Sequence, residues 1–366
     1  MAERGVGVSG SGEQGRPERS LPQPMQLPPM QRFAAKVRRT GRAIADRMPN
    51  VSWQWRLVIA SVIVVIAILC FLFLFIRGSF DFAFPRRATM LGAMVVAAFT
   101  QGVGTVLFHT ITANRILTPS IIGFDSMYVL MQTLMVFVFG GTVIANTEGI
   151  PKLLAQTALM VAFATILYRW LFSGRFGSLM VLLLVGVVLG LAFDSLSVFL
   201  QRLLSPTEYD MLSVRLFGRL SAVNSDYLPL AFGVCIVIGI IVWRKRATYD
   251  VLLLGREHAV NLGVSYKREL TLSLVLIAIM IAFSTALVGP LTFFGFVIAT
   301  LAYQIAGDFR HRAILPMAFL LGLFTLVGGQ FVMQHVFYAN GMLTVIIEFV
   351  GGIVFLALLL AKKGRL

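Results

Sequence analysis

The stretch of residues 89–128 contains more hydrogen-bonding side chains than a lipid-facing helix tolerates. These polar residues are Gln101, His109, Thr110, Thr112, Asn114, Thr118, Ser120, Asp125 and Ser126. Any one of them could simply bond a neighbouring helix. Polar groups that cannot face lipid otherwise face a pore or a water-filled cleft. As a set, they predict a translocation path.

One acid, Glu348, lies well inside an apolar run, VIIEFVGGIVF. Burying its ionised carboxylate in lipid costs at least about 2–3 kcal/mol, so it must face water or a partner, or be protonated. It could be the coupling acid of a proton-driven secondary transporter. A proton relay needs further acids, and Asp125 and Asp194 lie near span ends, where they are poor candidates.

No catalytic motif accompanies these groups. The chain contains no Walker A sequence, no HExxH and no GxSxG, and its four histidines are scattered along the sequence. Cys70 and Cys235 lie in apolar runs without a second ligand at metal-binding spacing. We therefore predict no catalytic residue, no metal site and no cofactor bound by this chain.

Composition shows which elements must position these residues. Apolar residues make up 58% of the 366 residues and charged residues only 13%, which is typical of a membrane protein. The apolar runs predict an all-α polytopic fold with about ten membrane spans. They are 57–76, 88–108, 121–140, 152–172, 179–200, 227–243, 268–288, 291–306, 314–333 and 342–361. We expect a membrane domain over 57–361, preceded by a disordered basic tail over 1–50.

The charges predict orientation. If both termini are cytoplasmic, 24 of the 31 Lys and Arg residues lie on the cytoplasmic side and 7 on the other. This excess favours an N-in, C-in protein of a bacterial inner membrane. It also explains the net charge of +15 without nucleic acid.

The longest cytoplasmic segment between spans is 243–269. Its middle part, 250–262, has the pattern of a short amphipathic helix outside the membrane, and Gly263 is expected to end it. Such a helix could lie on the lipid surface. Alternatively, it could dock in a groove of a cytoplasmic partner and pass that partner's motion to the membrane helices.

Four ordered motifs carry a family resemblance. They are GAMVVAAFTQGVGT…ANRILTPSIIGFDS, LGREHAVNLGV, VGPLTFFGFV…GDFRHRAILP and FVGGIVF. Together they resemble the FecCD family of iron-siderophore ABC importer permeases over roughly residues 57–366. The resemblance implies a type II importer fold, like that of the vitamin B12 importer.

The resemblance also implies partners. Two permease chains, identical or different, would enclose the path, two cytoplasmic ATPase subunits would bind ATP and Mg²⁺, and a periplasmic binding protein would deliver a ferric siderophore. It implies a coupling helix at 250–263, with ATPase contacts at Gly255, Arg256, Glu257, His258, Ala259, Leu262 and Gly263. Docking of the binding protein is expected at Arg86, with Arg87 as a substitute for the family's first arginine, which is Ala83 here.

Within this scheme, the predicted path residues are Gln101, Asn114, Thr118, Pro119, Gly123 and Asp125. The family's Asn-Pro-Leu-Ala run is Asn-Arg-Ile-Leu here, which indicates a divergent branch. The run TITANRILTPSIIGFDSMY resembles permeases that pair with a non-identical permease for catechol-type siderophores. Cobalamin and haem remain alternative substrates, and the proton-coupled transporter that uses Glu348 remains the alternative function.

Overall fold

The computed structural model describes residues 52–75, 79–141, 149–173, 179–216, 223–336 and 343–363. The predicted tail over 1–50 lies outside the described residues. Those residues form thirteen α-helices and two short 3-10 turns and contain no β-strand. The α-helices are α1 Trp53–Phe73, α2 Phe80–Thr112, α3 Phe124–Phe139, α4 Ile150–Ser173, α5 Leu179–Gln201, α6 Pro206–Leu216, α7 Leu228–Arg244, α8 Arg246–Leu252, α9 Arg256–Asn261, α10 Tyr266–Val288, α11 Phe294–Ile305, α12 His311–His335 and α13 Leu343–Lys363. The 3-10 turns are Pro119–Ile122 and Ser225–Tyr227.

Ten of these helices correspond to the predicted spans. Six apolar segments, in α1, α2, α5, α7, α10 and α12, are long enough to cross a membrane, and shorter apolar segments form α3, α4, α11 and α13. Their limits agree with the sequence prediction to within a few residues for most spans. The largest extension is in α2, which has 33 residues and begins eight residues earlier than predicted. The all-α polytopic fold is therefore confirmed.

Helix α2 lies at the centre of the bundle and packs against α10, α11 and α12. Small residues allow α2 and α12 to approach each other closely. A Cβ atom added to Gly102 would lie 3.1 Å from the carbonyl oxygen of Ala318, and one added to Gly322 would lie 3.2 Å from the Cβ atom of Ala98. These contacts fix the helix that carries most of the predicted polar cluster.

The chain does not pass directly from α2 into the next span. Ala113 ends α2 in the left-handed region, with φ 48°, and irregular backbone follows as far as the 3-10 turn at 119–122. This turn packs against α2, α3, α5 and α10. The span predicted at 121–140 therefore starts as a tight turn and becomes helical only after Gly123, whose φ is 95°. Non-helical backbone at membrane depth requires such enclosure by protein.

The cytoplasmic segment differs from the single helix predicted over 250–262. It forms two short helices, α8 and α9, which are separated by a break at residues 253–255. Gly255 takes φ 92° and ψ 169° as the residue before α9, a conformation that favours glycine and cannot continue a helix. The predicted end at Gly263 is present, with φ 83° two residues after α9.

Candidate functional site

A cavity of about 510 Å³ opens among α3, α5, α6, α13 and the turn between α10 and α11. Residues from these five elements and Ser120 of the 3-10 turn line it: Ser120, Asp125, Ser126, Val129, Val187, Gly190, Leu191, Asp194, Tyr209, Ser213, Leu216, Pro290, Thr292, Val345 and Glu348. Its volume lies within the range of about 300–1,000 Å³ that is usual for small-molecule sites. The cavity is the strongest candidate for a substrate-facing surface among the described residues.

Three acids reach this cavity from three different helices. Asp125 comes from α3, Asp194 from α5 and Glu348 from α13. From the sequence, Asp125 and Asp194 are considered only as poor candidates for a proton relay with Glu348, and it is not predicted that the three acids line one cavity. More than 150 residues separate Asp194 from Glu348 in the chain, so periodicity within a span gives no indication that they share a cavity. The described residues contain no group of three His, Cys, Asp or Glu side chains arranged to hold a metal ion.

Asp125 is the most constrained of these acids. The Thr292 hydroxyl donates to Oδ2 at 2.9 Å and the Thr285 hydroxyl donates to Oδ1 at 3.3 Å. Thr285 belongs to the last turn of α10, and Thr292 lies in the hairpin turn after Gly289. The carboxylate thus ties the turn at Gly289 and Pro290, between α10 and α11, to the start of α3. Although Asp125 is largely buried, it also contributes to the lining of the cavity, so these bonds fix one part of its wall.

The other predicted path residues occupy the irregular segment and the centre of α2. Asn114 accepts a hydrogen bond from the backbone N–H of Ile116 and so shapes the turn after α2. Thr118 is buried, and its hydroxyl has no hydrogen-bond partner among the described residues. Pro119 begins the 3-10 turn. Gln101 is buried farther along α2, 3.4 Å from Ser284 Oγ.

Gly123 is required by a close helix contact. Its Cβ position would lie 3.1 Å from the Cα of Gly190, and a Cβ on Gly186 would lie 3.0 Å from the Cα of Ile122. Only glycine combines the positive φ with this approach. Gly123 and Gly190 therefore bring the irregular segment against α5, which carries Asp194 into the cavity. Of the six predicted path residues, only Asp125 lines the cavity itself.

A second surface lies outside the membrane helices, on α9 and its flanks. Leu254, Val260 and Leu262 are exposed beside three exposed polar residues, Arg256, Glu257 and His258. Gly263 is also exposed, whereas Ala259 is fully buried and anchors α9 to the bundle. Exposed leucines next to charged groups are typical of a protein-binding surface. The seven residues predicted to contact an ATPase thus form one compact segment, with Ala259 on its inner side.

A buried polar linkage connects this segment to α2. Asp250 of α8 accepts two hydrogen bonds from His311 at the start of α12: one from the backbone N–H at 2.8 Å and one from the ring nitrogen Nδ1 at 2.7 Å. The other ring nitrogen, Nε2, lies 2.8 Å from Thr110 Oγ1 in the last turn of α2. Three helices are therefore joined through one histidine.

Tyr249 packs beside the buried histidine of this linkage. Its ring is fully buried and lies 5.7 Å from the His311 ring, measured between centroids. Burial raises the pKa of the Tyr249 phenol, so the ring is neutral at physiological pH. Sequence reasoning identified Thr110 only as one polar residue of a cluster and did not identify Asp250 or His311. The linkage is formed by residues up to 201 positions apart, which no local pattern reveals.

The two predicted docking arginines behave differently. Arg86 is exposed near the first turns of α2. Arg87 instead donates to backbone carbonyl oxygens at the end of α1, at 2.8 Å to Phe71, 2.8 Å to Leu74 and 3.2 Å to Phe75. These carbonyl groups lack helical partners, and a guanidinium supplies several donors in a fixed fork. Arg87 is thus a helix cap, and the docking prediction rests on Arg86.

Comparisons with known proteins agree with this architecture. A model of the FecCD transport family matches residues 78–361. The petrobactin import system permease protein FatC of Bacillus anthracis is 43% identical over 279 residues, which cover 76% of this chain and 79% of FatC. The corresponding protein YclO of Bacillus subtilis is 40% identical over 305 residues, covering 83% and 97%. A solved metal-chelate type ABC transporter in an inward-facing conformation has the same fold, with a TM-score of 0.73, 21% identity, and coverage of 84% of this chain and 99% of that chain.

Proposed function

Because the chain belongs to the FecCD transport family, we propose that it is a permease subunit of an ATP-driven importer and carries a ferric siderophore into the cytoplasm. The observation that carries this proposal is the similarity, at 40% identity or more, to two proteins named as permeases of petrobactin import systems. It favours a siderophore over cobalamin or haem. The alternative of a proton-coupled transporter is not favoured, because these relatives are permeases of import systems.

The proposed assembly contains three kinds of protein component in addition to lipid. Two permease chains enclose the path, cytoplasmic ATPase subunits bind ATP and Mg²⁺, and a substrate-binding protein delivers the chelate from outside. The membrane is the bacterial inner membrane, and both termini are cytoplasmic, as the distribution of Lys and Arg favours. This chain hydrolyses no ATP itself.

On the outer side, Arg86 is proposed to meet an acidic residue of the binding protein, since electrostatic complementarity steers such encounters. The released chelate then faces the cavity that contains Asp125, Asp194 and Glu348. The 3-10 turn, which contributes Ser120 to the cavity wall, lies outside the α-helices. It can therefore change shape without breaking an α-helical hydrogen-bond ladder. Transport needs a cavity that releases its substrate, so we expect contacts with the chelate's periphery and no ligation of iron.

On the inner side, the exposed surface around α9 is proposed to sit in a groove of the ATPase. When the ATPase subunits close on ATP, α9 and α8 move with them as a rigid body. The Asp250–His311–Thr110 linkage passes this displacement to α12 and α2. The equilibrium between outward-open and inward-open states then shifts by the difference in ATPase binding energy between the two states.

Co-purification with the ATPase tests the proposal. Leu262→Asp places a charge on the proposed contact, where the leucine is 63% exposed, and Leu203→Asp places the same charge on a leucine that is 57% exposed, just after α5 on the opposite side of the membrane. We expect the ATPase to co-purify with wild type and with Leu203→Asp but not with Leu262→Asp, at equal permease yield. Retention of the ATPase by Leu262→Asp would contradict the coupling surface.

Uptake of radioactive iron by whole cells tests the substrate. In a strain that lacks its own siderophore permeases, the complete system should import a ferric catecholate siderophore. Excess cobalamin or haem should not compete with this uptake. Competition by either of them, together with absence of siderophore uptake, would assign the system to that substrate instead.

A further inference from the structure

A second cavity lies on the outside of the bundle, far from the acidic one. It is a groove of about 480 Å³ between α2, α7 and α12. Apolar residues and one glycine form its floor and sides: Val95, Val96, Phe99, Phe232, Cys235, Ile236, Gly239, Ile240 and Phe319. Ile236 and Ile240 are more than half exposed, so the groove opens toward the surroundings of the bundle. At membrane depth those surroundings are acyl chains.

One end of this groove is cationic. Trp243 and Arg244, in the last turn of α7, complete its lining. Arg244 forms no ion pair or hydrogen bond with any described residue. Arg246 lies over the Trp243 ring at 4.8 Å and donates to the Trp243 carbonyl oxygen, with no carboxylate partner in the described part of the chain. Between them, Lys245 is already paired with Glu269 at 2.7 Å.

The two arginines therefore carry uncompensated charge where an apolar groove ends. A tryptophan beside them is typical of a helix that leaves the hydrocarbon region at this level. Guanidinium groups bind phosphate through paired hydrogen bonds. An amphiphile with an acyl chain and an anionic phosphate matches both parts of the site.

We propose that this groove binds an anionic phospholipid, with one acyl chain between α2 and α7 and the phosphate at Arg244 and Arg246. Basic sites between membrane helices on the cytoplasmic side bind anionic headgroups in general. That the lipid comes from the cytoplasmic leaflet rests on the proposed orientation. A second copy of this chain fits less well, because a symmetric contact through this face would bring the same arginines together.

Gly239 provides a means of closing the groove. A Cβ at this position would lie 3.4 Å from Phe99, an ordinary contact, and larger side chains would extend into the space between α2 and α7. Gly239→Leu should therefore fill the site without displacing either helix. It tests the acyl-chain part, while Arg244→Gln combined with Arg246→Gln tests the headgroup part.

Native mass spectrometry of the full-length chain purified in detergent, with equal amounts of phosphatidylglycerol and phosphatidylcholine of matched chains, measures the selectivity. We expect wild type to retain phosphatidylglycerol preferentially. The double arginine variant should lose about 30-fold of that preference, since each of the two basic residues contributes about 1 kcal/mol. Gly239→Leu should reduce retention of both lipids. Arg202→Gln removes an exposed arginine just after α5 and should change nothing.

A phosphatidylglycerol with a photoreactive acyl chain then locates the site, and its cross-links should map to residues 232–243. Equal retention of the two lipids, or unchanged selectivity in the double arginine variant, would overturn the proposal. Cross-links from these residues to a second permease chain in place of lipid would also overturn it. Because the measurement needs neither transport nor ATPase binding, its failure is distinguishable from failure of the proposed import function.

Discussion

Replacement of Thr110 by valine tests whether the buried histidine linkage passes motion from the cytoplasmic segment to α2. Valine matches the shape of threonine but removes the hydroxyl that lies 2.8 Å from His311 Nε2. The hydrogen bonds between His311 and Asp250 do not involve this hydroxyl and should persist. The substitution therefore separates α2 from the linkage and leaves α8 joined to α12.

The Thr110 hydroxyl also lies 2.9 Å from the carbonyl oxygen of Val106 within α2. The control variant below matches the loss of that contact, so the expected size follows from the bond to His311. A buried hydrogen bond between neutral groups contributes about 0.5–1.5 kcal/mol. If all of this free energy couples the position of α2 to that of α8, its loss lowers the equilibrium preference for joint movement of the two helices by about 2- to 10-fold. We expect the number of chelates transported per ATP hydrolysed to fall by that factor. ATPase binding and the ATPase rate should remain close to wild type.

Thr100→Val is the matched control. Thr100 is in the same helix and equally buried, but its hydroxyl donates only within α2, to the carbonyl oxygens of Val96 and Ala97. Loss of this bond should leave the transport ratio unchanged. Both variants are measured in proteoliposomes with the ATPase and the binding protein, by uptake of radioactive iron and release of phosphate in the same sample.

Two results would refute the reasoning. An unchanged transport ratio in Thr110→Val, at normal yield, would show that motion reaches α2 by another route. Equal decreases of the transport ratio in Thr110→Val and Thr100→Val would show that any buried hydroxyl of α2 matters for packing. Asp250→Asn gives an independent check, because it keeps an acceptor for His311 but removes the charge, and it should also uncouple transport from hydrolysis.

Three further predictions follow from the other contacts. Gly186→Ala should lower the free energy of unfolding by about 1–3 kcal/mol, because its Cβ meets the backbone of the 3-10 turn. Gly233 has open space around it, so Gly233→Ala should not lower this free energy. Thermal denaturation in detergent measures both variants. Arg87→Gln should lower the free energy of unfolding by about 1.5–3 kcal/mol, because it removes bonds to the end of α1, and it should leave capture of the binding protein intact. Replacement of the exposed Arg86 by glutamine should leave the free energy of unfolding unchanged and weaken capture of the binding protein. Glu348→Gln should leave uptake dependent on ATP and unaffected by a pH gradient; gradient-driven uptake by the wild-type chain alone, abolished in this variant, would argue for a secondary transporter.

The membrane helices could be predicted because one local property determines them. A run of about 20 apolar residues is long enough to span the hydrocarbon layer whatever it packs against. The break within the cytoplasmic segment was also available in the sequence. Gly255 precedes a charged first turn that contains Glu257, and this pattern is a signal for the start of a helix. The prediction of one continuous helix over 250–262 did not take this signal into account.

The cavity and the linkage could not be predicted in this way, because they depend on which helix faces which. Asp194 and Glu348 lie in separate spans, and apolar periodicity does not specify the rotation of either helix. His311 is a single histidine near a helix start, a position that is equally compatible with a solvated side chain. Only the packing of α12 against α2 and α8 places it between Thr110 and Asp250.

The position of Thr110 places the linkage next to the irregular segment that follows α2. It lies three residues before Ala113, where α2 ends and the irregular backbone begins. That backbone leads without any intervening α-helix to the 3-10 turn and Gly123, which rest on α5, and then to Asp125 in the cavity. In the proposed mechanism, a shift of this end of α2 would pass along a short covalent path to the cavity wall. Interdigitated helices rearrange between discrete packings, so the non-helical segment is where this chain can accommodate a change of state.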